Sequence, residues 1–186
     1  MRDGVRLDPR RTALVVVDVQ ERLFAAMDAE QREGMVRNLK ILATAARRLA
    51  VPLVMTEQYP KGLGHTLPEV REALGAVEAV AKVSFSCAAV EGFTERLRGL
   101  GVQAVVLAGI ETHVCVLMTA LDLVAEGLTV HVPADATVSR TRTNWEFGLA
   151  LLRDEGVVVT TTETVLFQLL RRADTDDFRA LASLLK

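Results

Sequence analysis

The sequence predicts an α/β fold, a six-stranded, mostly parallel sheet with helices on both faces. Three observations carry this. Six short Val-rich apolar runs recur along the 186 residues. Stretches with helical spacing separate most of them, the alternation that builds parallel sheets. Most runs are solidly apolar, as strands buried on both faces are. The length suits one domain, so residues 1–186 are expected to form a single unit.

The elements follow in order. Residues 12–17 (TALVVV) read as the first strand, ending at Asp18. Met35, Leu39, Leu42, Ala46 and Leu49 form one stripe of a helix over 31–50. Residues 52–56 (PLVMT) are the second strand. A long loop over 57–68 follows, punctuated by Pro60, Gly62, Gly64 and Pro68. Residues 79–84 (AVAKVS) are a third strand with Lys82 inside it. Val90, Phe93, Leu97 and Leu100 mark a helix, and 103–108 (QAVVLA) a fourth strand closed by Gly109. A helix is expected from near Cys115 to Glu126, stopped by Gly127. Residues 128–132 (LTVHV) are the fifth strand. Trp145, Leu149 and Leu152 stripe another helix, with Trp145 in the core or a subunit interface. Residues 157–161 (VVVTT) are the sixth strand, and short helices over 164–170 and 176–185 close the chain.

Composition narrows the function. With 50% hydrophobic and 25% charged residues, wholesale disorder is excluded. Lys plus Arg is 22 against 24 Asp plus Glu, a balance unlike that of a nucleic-acid binder. No run is long enough for a membrane span, and MRDGVR at the start has no apolar signal core behind it. Two cysteines, Cys87 and Cys115, are too few for a disulfide scaffold and fit a reducing cytoplasm. The expected protein is cytoplasmic, with a small-molecule substrate and neither nucleic acid nor membrane as partner. Its apolar fraction and the apolar residues of its last helices (Phe167, Leu169, Leu170, Phe178, Leu181) point to a homo-oligomer, a dimer or larger.

Open parallel sheets bind ligands beyond the carboxyl ends of their strands. Asp18 lies at one such end. Lys82 stands between Ala81 and Val83, where an ammonium must find a counter-charge or lose its own. Cys115 opens the helix after the fourth strand, where the helix dipole and a nearby lysine would hold its thiol pKa below the free value of about 8.5. A carboxylate beside a thiol can take its proton as general base, although its charge opposes the thiolate. Each residue also has an ordinary reading: a turn aspartate, a lysine guarding an edge strand, an inert core cysteine. Together they compose an activated nucleophile that should alkylate faster than Cys87, read as an inert thiol near the pocket rim.

The segments ALVVVDVQERLF, AKVSFSC and GIETHVCVLMTALDL resemble the three signature blocks of the isochorismatase-like cysteine hydrolase superfamily. The resemblance runs over residues 11–170, and GIETHVCV at 109–116 is its most specific part. It implies a Rossmann-like three-layer α/β/α sandwich, in keeping with the six strands, with Asp18 as general base, Lys82 as its partner and Cys115 as nucleophile. It also implies a non-proline cis peptide between Ile110 and Glu111, and an oxyanion hole built from the backbone amides of Glu111 and Cys115. Nicotinamidase-type members carry a metal held by an Asp and two His after the second strand. Here that stretch reads TEQYPKGLGHTLPE with His65 alone, and His113 and His131 stand far along the chain, so no metal and no other cofactor is expected. Isochorismate-cleaving members lack the cysteine, so Cys115 disfavours ether cleavage.

TEQYPKGLG and GIETHVCV resemble the corresponding segments of isochorismatase domain-containing hydrolases. The implied reaction is metal-independent cleavage of a C–N, amide-like bond through a Cys115 thioester. The alternative is a non-catalytic scaffold or thiol-sensing protein with a vestigial site. A nucleotide-binding Rossmann domain is excluded, because VQERLF rather than G-x-G-x-x-G follows Asp18. Gln20, Phe24 and Tyr59 are candidates for contact with the substrate.

Overall fold

The computed structural model describes residues 6–185. Among them, seven strands lie in one sheet: β1 (Thr12–Val17), β2 (Leu53–Gln58), β3 (Ala79–Lys82), β4 (Ala104–Ile110), β5 (Thr129–Pro133), β6 (Thr137–Val138) and β7 (Val158–Thr160). The order is β3-β2-β1-β4-β5-β7, and β6 pairs with the end of β4. Each of these strand pairings is parallel. The expected six strands are thus seven. The addition is β6, whose two residues join Gly109↔Thr137 and Ile110↔Val138. Two residues show no period in a sequence; tertiary pairing alone makes them a strand.

The central strands β1 and β4 are buried along their whole length. Side chains alternate across a strand, so Leu14 and Val16 face one helical layer while Ala13, Val15 and Val17 face the other. The first layer rests on α2 (Arg32–Arg48), through Met35, Leu39, Leu42 and Ala46, and on α8 (Thr162–Leu170), through Val165 and Leu169. The second packs α5 (Phe93–Gly99), α6 (Leu117–Ala125) and α7 (Arg142–Asp154), through Leu97, Leu123 and Leu152 among others. Leu181 of α9 (Asp176–Ala182) packs against Ile41, Ala45, Leu166 and Leu170 beside the first layer.

Three local departures from expectation shape the site. The strand before the long loop runs on to Gln58, the loop itself holds the short helix α3 (Pro60–Leu63), and α4 (Pro68–Leu74) begins where it ends. Pro60 and Pro68 open them, where a missing N–H costs nothing. The third strand stops at Lys82 rather than at 84. The helix expected from Cys115 is preceded by a π-turn over Thr112–Val116, and α6 starts only at Leu117.

Gly109 sets the spacing of the central pair. A Cβ there would sit 2.1 Å from the Val17 carbonyl oxygen, and its φ of +124° is one that side chains rarely adopt. The ends of β1 and β4 therefore meet more closely than any other residue type would allow.

Candidate active site

Asp18 follows β1 with a left-handed backbone, φ +52°, a conformation that Asp tolerates better than most residues. Its N–H donates to the Thr56 carbonyl at 3.2 Å and its own carbonyl accepts from the Gln20 N–H at 2.7 Å. Lys82, two strands away, extends inward until its Nζ lies 2.6 Å from Asp18 Oδ2, and neither side chain is exposed. An ion pair this deep loses more hydration than its mutual attraction returns unless further hydrogen bonds complete it. Here they do. Asp18 Oδ1 accepts from the Thr56 hydroxyl at 2.7 Å. Lys82 Nζ also faces Gln58 Oε1 at 2.6 Å, the Ser84 carbonyl at 3.2 Å and the Phe85 carbonyl at 3.1 Å.

Cys115 comes to the same carboxylate from the π-turn. It is 6% exposed, and the charges of Asp18 and Lys82 act on its sulfur. The peptide bond between Ile110 and Glu111, at the end of β4, is cis. The Glu111 carboxylate accepts from the Arg140 backbone N–H at 3.1 Å and from its Nε at 3.0 Å. His113 Nδ1 lies 3.0 Å from the Ser139 hydroxyl. One loop after β6 thus holds the turn on both sides of Thr112.

The thiol pKa runs opposite to expectation. Burial above all, and then the charge of Asp18, push Cys115 up to about 12; Lys82 pulls it down, but by less. A helix terminus and a lysine promise a thiolate only where water reaches the sulfur, and here it hardly does. Cys87 is also displaced from its expected place at a rim. It is fully buried, its N–H donating to Thr119 Oγ1 at 2.9 Å and its Sγ standing 3.7 Å from Thr56 Oγ1. Burial is the largest cause that raises its pKa too. Both cysteines are free.

Three residues are read from sequence as substrate contacts: Gln20, Phe24 and Tyr59. Gln20 is buried, and its amide is spent on the chain: Nε2 donates to the Gln58 and Gly64 carbonyls at 2.9 and 2.7 Å, and Oε1 accepts from the Gln58 N–H at 2.7 Å. Phe24 packs on the first core layer, with the Arg32 guanidinium 5.3 Å from its ring centre. Tyr59 is exposed and lines a hollow of about 580 Å³ with Lys61, Val83 and Val90, beside Lys82. Trp145 packs on the second layer and donates from Nε1 to the Ala134 carbonyl at 3.2 Å.

Sequence reading passed over Thr56 and Gln58. The signal was their spacing: two polar residues at alternate positions share one face of a strand end. Glu57, between them, turns the other way and accepts from the Thr66 N–H and hydroxyl at 2.8 and 2.9 Å. Its other oxygen meets His65 Nδ1 at 3.1 Å. Among the described residues no group of three or more His, Cys, Asp or Glu side chains is placed to hold a metal, and no helix is long and apolar enough to cross a membrane.

The isochorismatase domain model matches residues 12–164. The chain belongs to the isochorismatase family. It is 40% identical over 183 residues to isochorismatase domain-containing protein 2 of Danio rerio, covering 97% of this chain and 89% of that one. Among solved structures of isochorismatase-like fold, the MAR1 ribonuclease of Caenorhabditis elegans superposes with a TM-score of 0.91 at 36% identity, over 97% of this chain and 92% of that one. The YcaC product of Escherichia coli, described as an octameric hydrolase of unknown specificity, superposes with a TM-score of 0.91 at 24% identity, over 100% of this chain and 91% of that one. That last likeness concerns the fold. The sandwich is therefore that of the isochorismatase family, and Asp18, Lys82 and Cys115 converge within it.

Proposed function

We propose that the protein is a metal-independent cysteine hydrolase that cleaves a C–N, amide-like bond of a small molecule. The observation that carries the reading is a buried Cys115 thiol acted on by a carboxylate whose charge a buried ammonium offsets. As Sγ attacks the substrate carbonyl carbon, Asp18 takes the thiol proton and the carbonyl oxygen becomes an oxyanion. The backbone N–H groups of Glu111 and Cys115 receive that oxyanion. Asp18 then delivers the proton to the leaving nitrogen, the C–N bond breaks, and a thioester remains on Cys115. Water, deprotonated by Asp18, attacks the thioester; the acid leaves and the thiol recovers its proton. Lys82 faces acceptors only and exchanges no proton in these steps. A thiol with a pKa of about 12 supports this order of events: S–C bond formation and proton transfer go together, with no free thiolate beforehand.

A non-catalytic thiol sensor is the weaker reading, since sensing thiols are exposed and low in pKa. The C. elegans relative is named a ribonuclease, but a formal charge of −2 does not favour a polyanion as substrate here. The E. coli neighbour supports assembly into a homo-oligomer, and two free cysteines suit the cytoplasm. We read residues 1–186 as one catalytic domain.

The test is a panel of small amides and carbamoyl compounds, with the acyl-enzyme trapped by acid quench and located by mass spectrometry. The expected adduct sits on Cys115, and Cys115→Ala abolishes turnover. Turnover that survives Cys115→Ala overturns the reading.

A further inference from the structure

Lys82 carries three N–H donors and has four oxygens around it. Two are main-chain carbonyls of the loop after β3, and one is Asp18. The fourth, Gln58 Oε1, is as close as Asp18 itself, at 2.6 Å. The amide has one sensible orientation, because an ammonium offers only donors and must face the oxygen. Gln58 Nε2 then donates to the Val83 carbonyl at 2.8 Å, so both ends of the amide are used. The residue's backbone is pinned as well, since Gln20 bonds both its N–H and its carbonyl. A continuous chain of contacts runs from Gln20 through Gln58 and Lys82 to Asp18 and Cys115.

We propose that Gln58 is a positioning residue: its neutral oxygen fixes the Lys82 ammonium against Asp18 and so sets how readily Cys115 releases its proton. Neutrality is the point of a glutamine here. A carboxylate at the same place would share the cation with Asp18 and add a negative charge beside the thiol. An apolar side chain would leave the ammonium with one anchor fewer and blur its field at Sγ. The ionisable groups that act on Cys115 are Asp18 just after β1, Lys82 from β3 and Cys87 from the turn after it. Glu57, next to Gln58, faces His65 and Thr66 instead. The inference rests on the proposed Asp18–Lys82–Cys115 machinery, but its readout needs no turnover.

The experiment follows iodoacetamide alkylation of Cys115 by mass spectrometry between about pH 8 and pH 10, where the rate tracks the thiolate fraction. Gln58→Glu is expected to slow alkylation about tenfold at fixed pH, a shift of about one pH unit in the profile. Gln58→Met keeps the length, removes the oxygen, and is expected to slow it about threefold. A residue that merely packed would lower the melting temperature and leave these profiles in place. Unchanged or faster alkylation in the folded variants overturns the role of Gln58; if Gln58→Glu does not fold, Gln58→Met decides. Turnover that persists in Cys115→Ala would instead remove the hydrolase reading, and the alkylation profiles would still report on Gln58.

Discussion

Asp18 and Lys82 act on the Cys115 sulfur with opposite signs, and burial and the charge of Asp18 together outweigh the lysine. The thiol therefore keeps its proton through the neutral range, and the native alkylation rate should go on rising past about pH 10 without a plateau. Asp18→Asn removes the negative charge and leaves the ammonium. The expected result is a lower thiol pKa and alkylation at least about tenfold faster at fixed pH. The same variant loses amide turnover, since nothing then carries the proton to the leaving nitrogen. It also strands a buried ammonium, which costs about 3–5 kcal/mol, so the rates should be read at a temperature where the variant remains folded. Mass spectrometry of the alkylated chain and an amide assay make the two measurements; slower alkylation in Asp18→Asn contradicts the assignment of the proton.

The π-turn that carries Cys115 is seated on α7 at one glycine. A Cβ on Gly148 would lie 3.0 Å from the His113 Cα and 3.1 Å from its N, and main chain cannot swing aside as a side-chain tip can. Gly148→Val should therefore destabilise the protein by about 2–3 kcal/mol, read as a lower urea midpoint with an unchanged slope. At this scale the sequence was legible in proportion to element length. The Val-rich strands and the striped helices α2 and α7 could be read because several residues repeat one period. The five-residue helix α1 (Glu21–Ala25), α4 and β6 could not, because too few residues repeat in any of them. The π-turn was missed for another reason: its path follows the close packing on Gly148, not any local preference. Asp18, Lys82 and Cys115 stood out as reactive residues at the ends of apolar runs. Thr56 and Gln58 did not, since polar residues at a strand end look like ordinary caps. The direction of the Cys115 pKa shift was out of reach, because it is decided by burial, which spacing does not show.

Acid stability belongs to the whole molecule, and Glu57 contributes to it from the face of β2 opposite Gln58. Burial tends to raise its pKa, but hydrogen bonds from the Thr66 N–H, His65 and the Thr66 hydroxyl outweigh that, and the net value lies below 4.5. A carboxyl with a lowered folded pKa stabilises above its unfolded value, and that contribution fades as pH falls through the folded one. The melting temperature of the native protein should thus drop more steeply between about pH 5 and pH 3 than that of Glu57→Gln, as circular dichroism can measure. Parallel slopes would exclude this role. The strand order has a further consequence, in time rather than in energy. Strand β1 completes its ladder only when β4 arrives, because Thr12 pairs with Ala104. On a ribosome adding roughly 5–20 residues per second, those intervening residues take about 5–18 s to appear. Throughout that interval TALVVV, without a charge or a proline, has one edge unpaired. The segment that later floors the site is thus an adhesive stretch of the newborn chain, the kind that a nascent-chain chaperone covers.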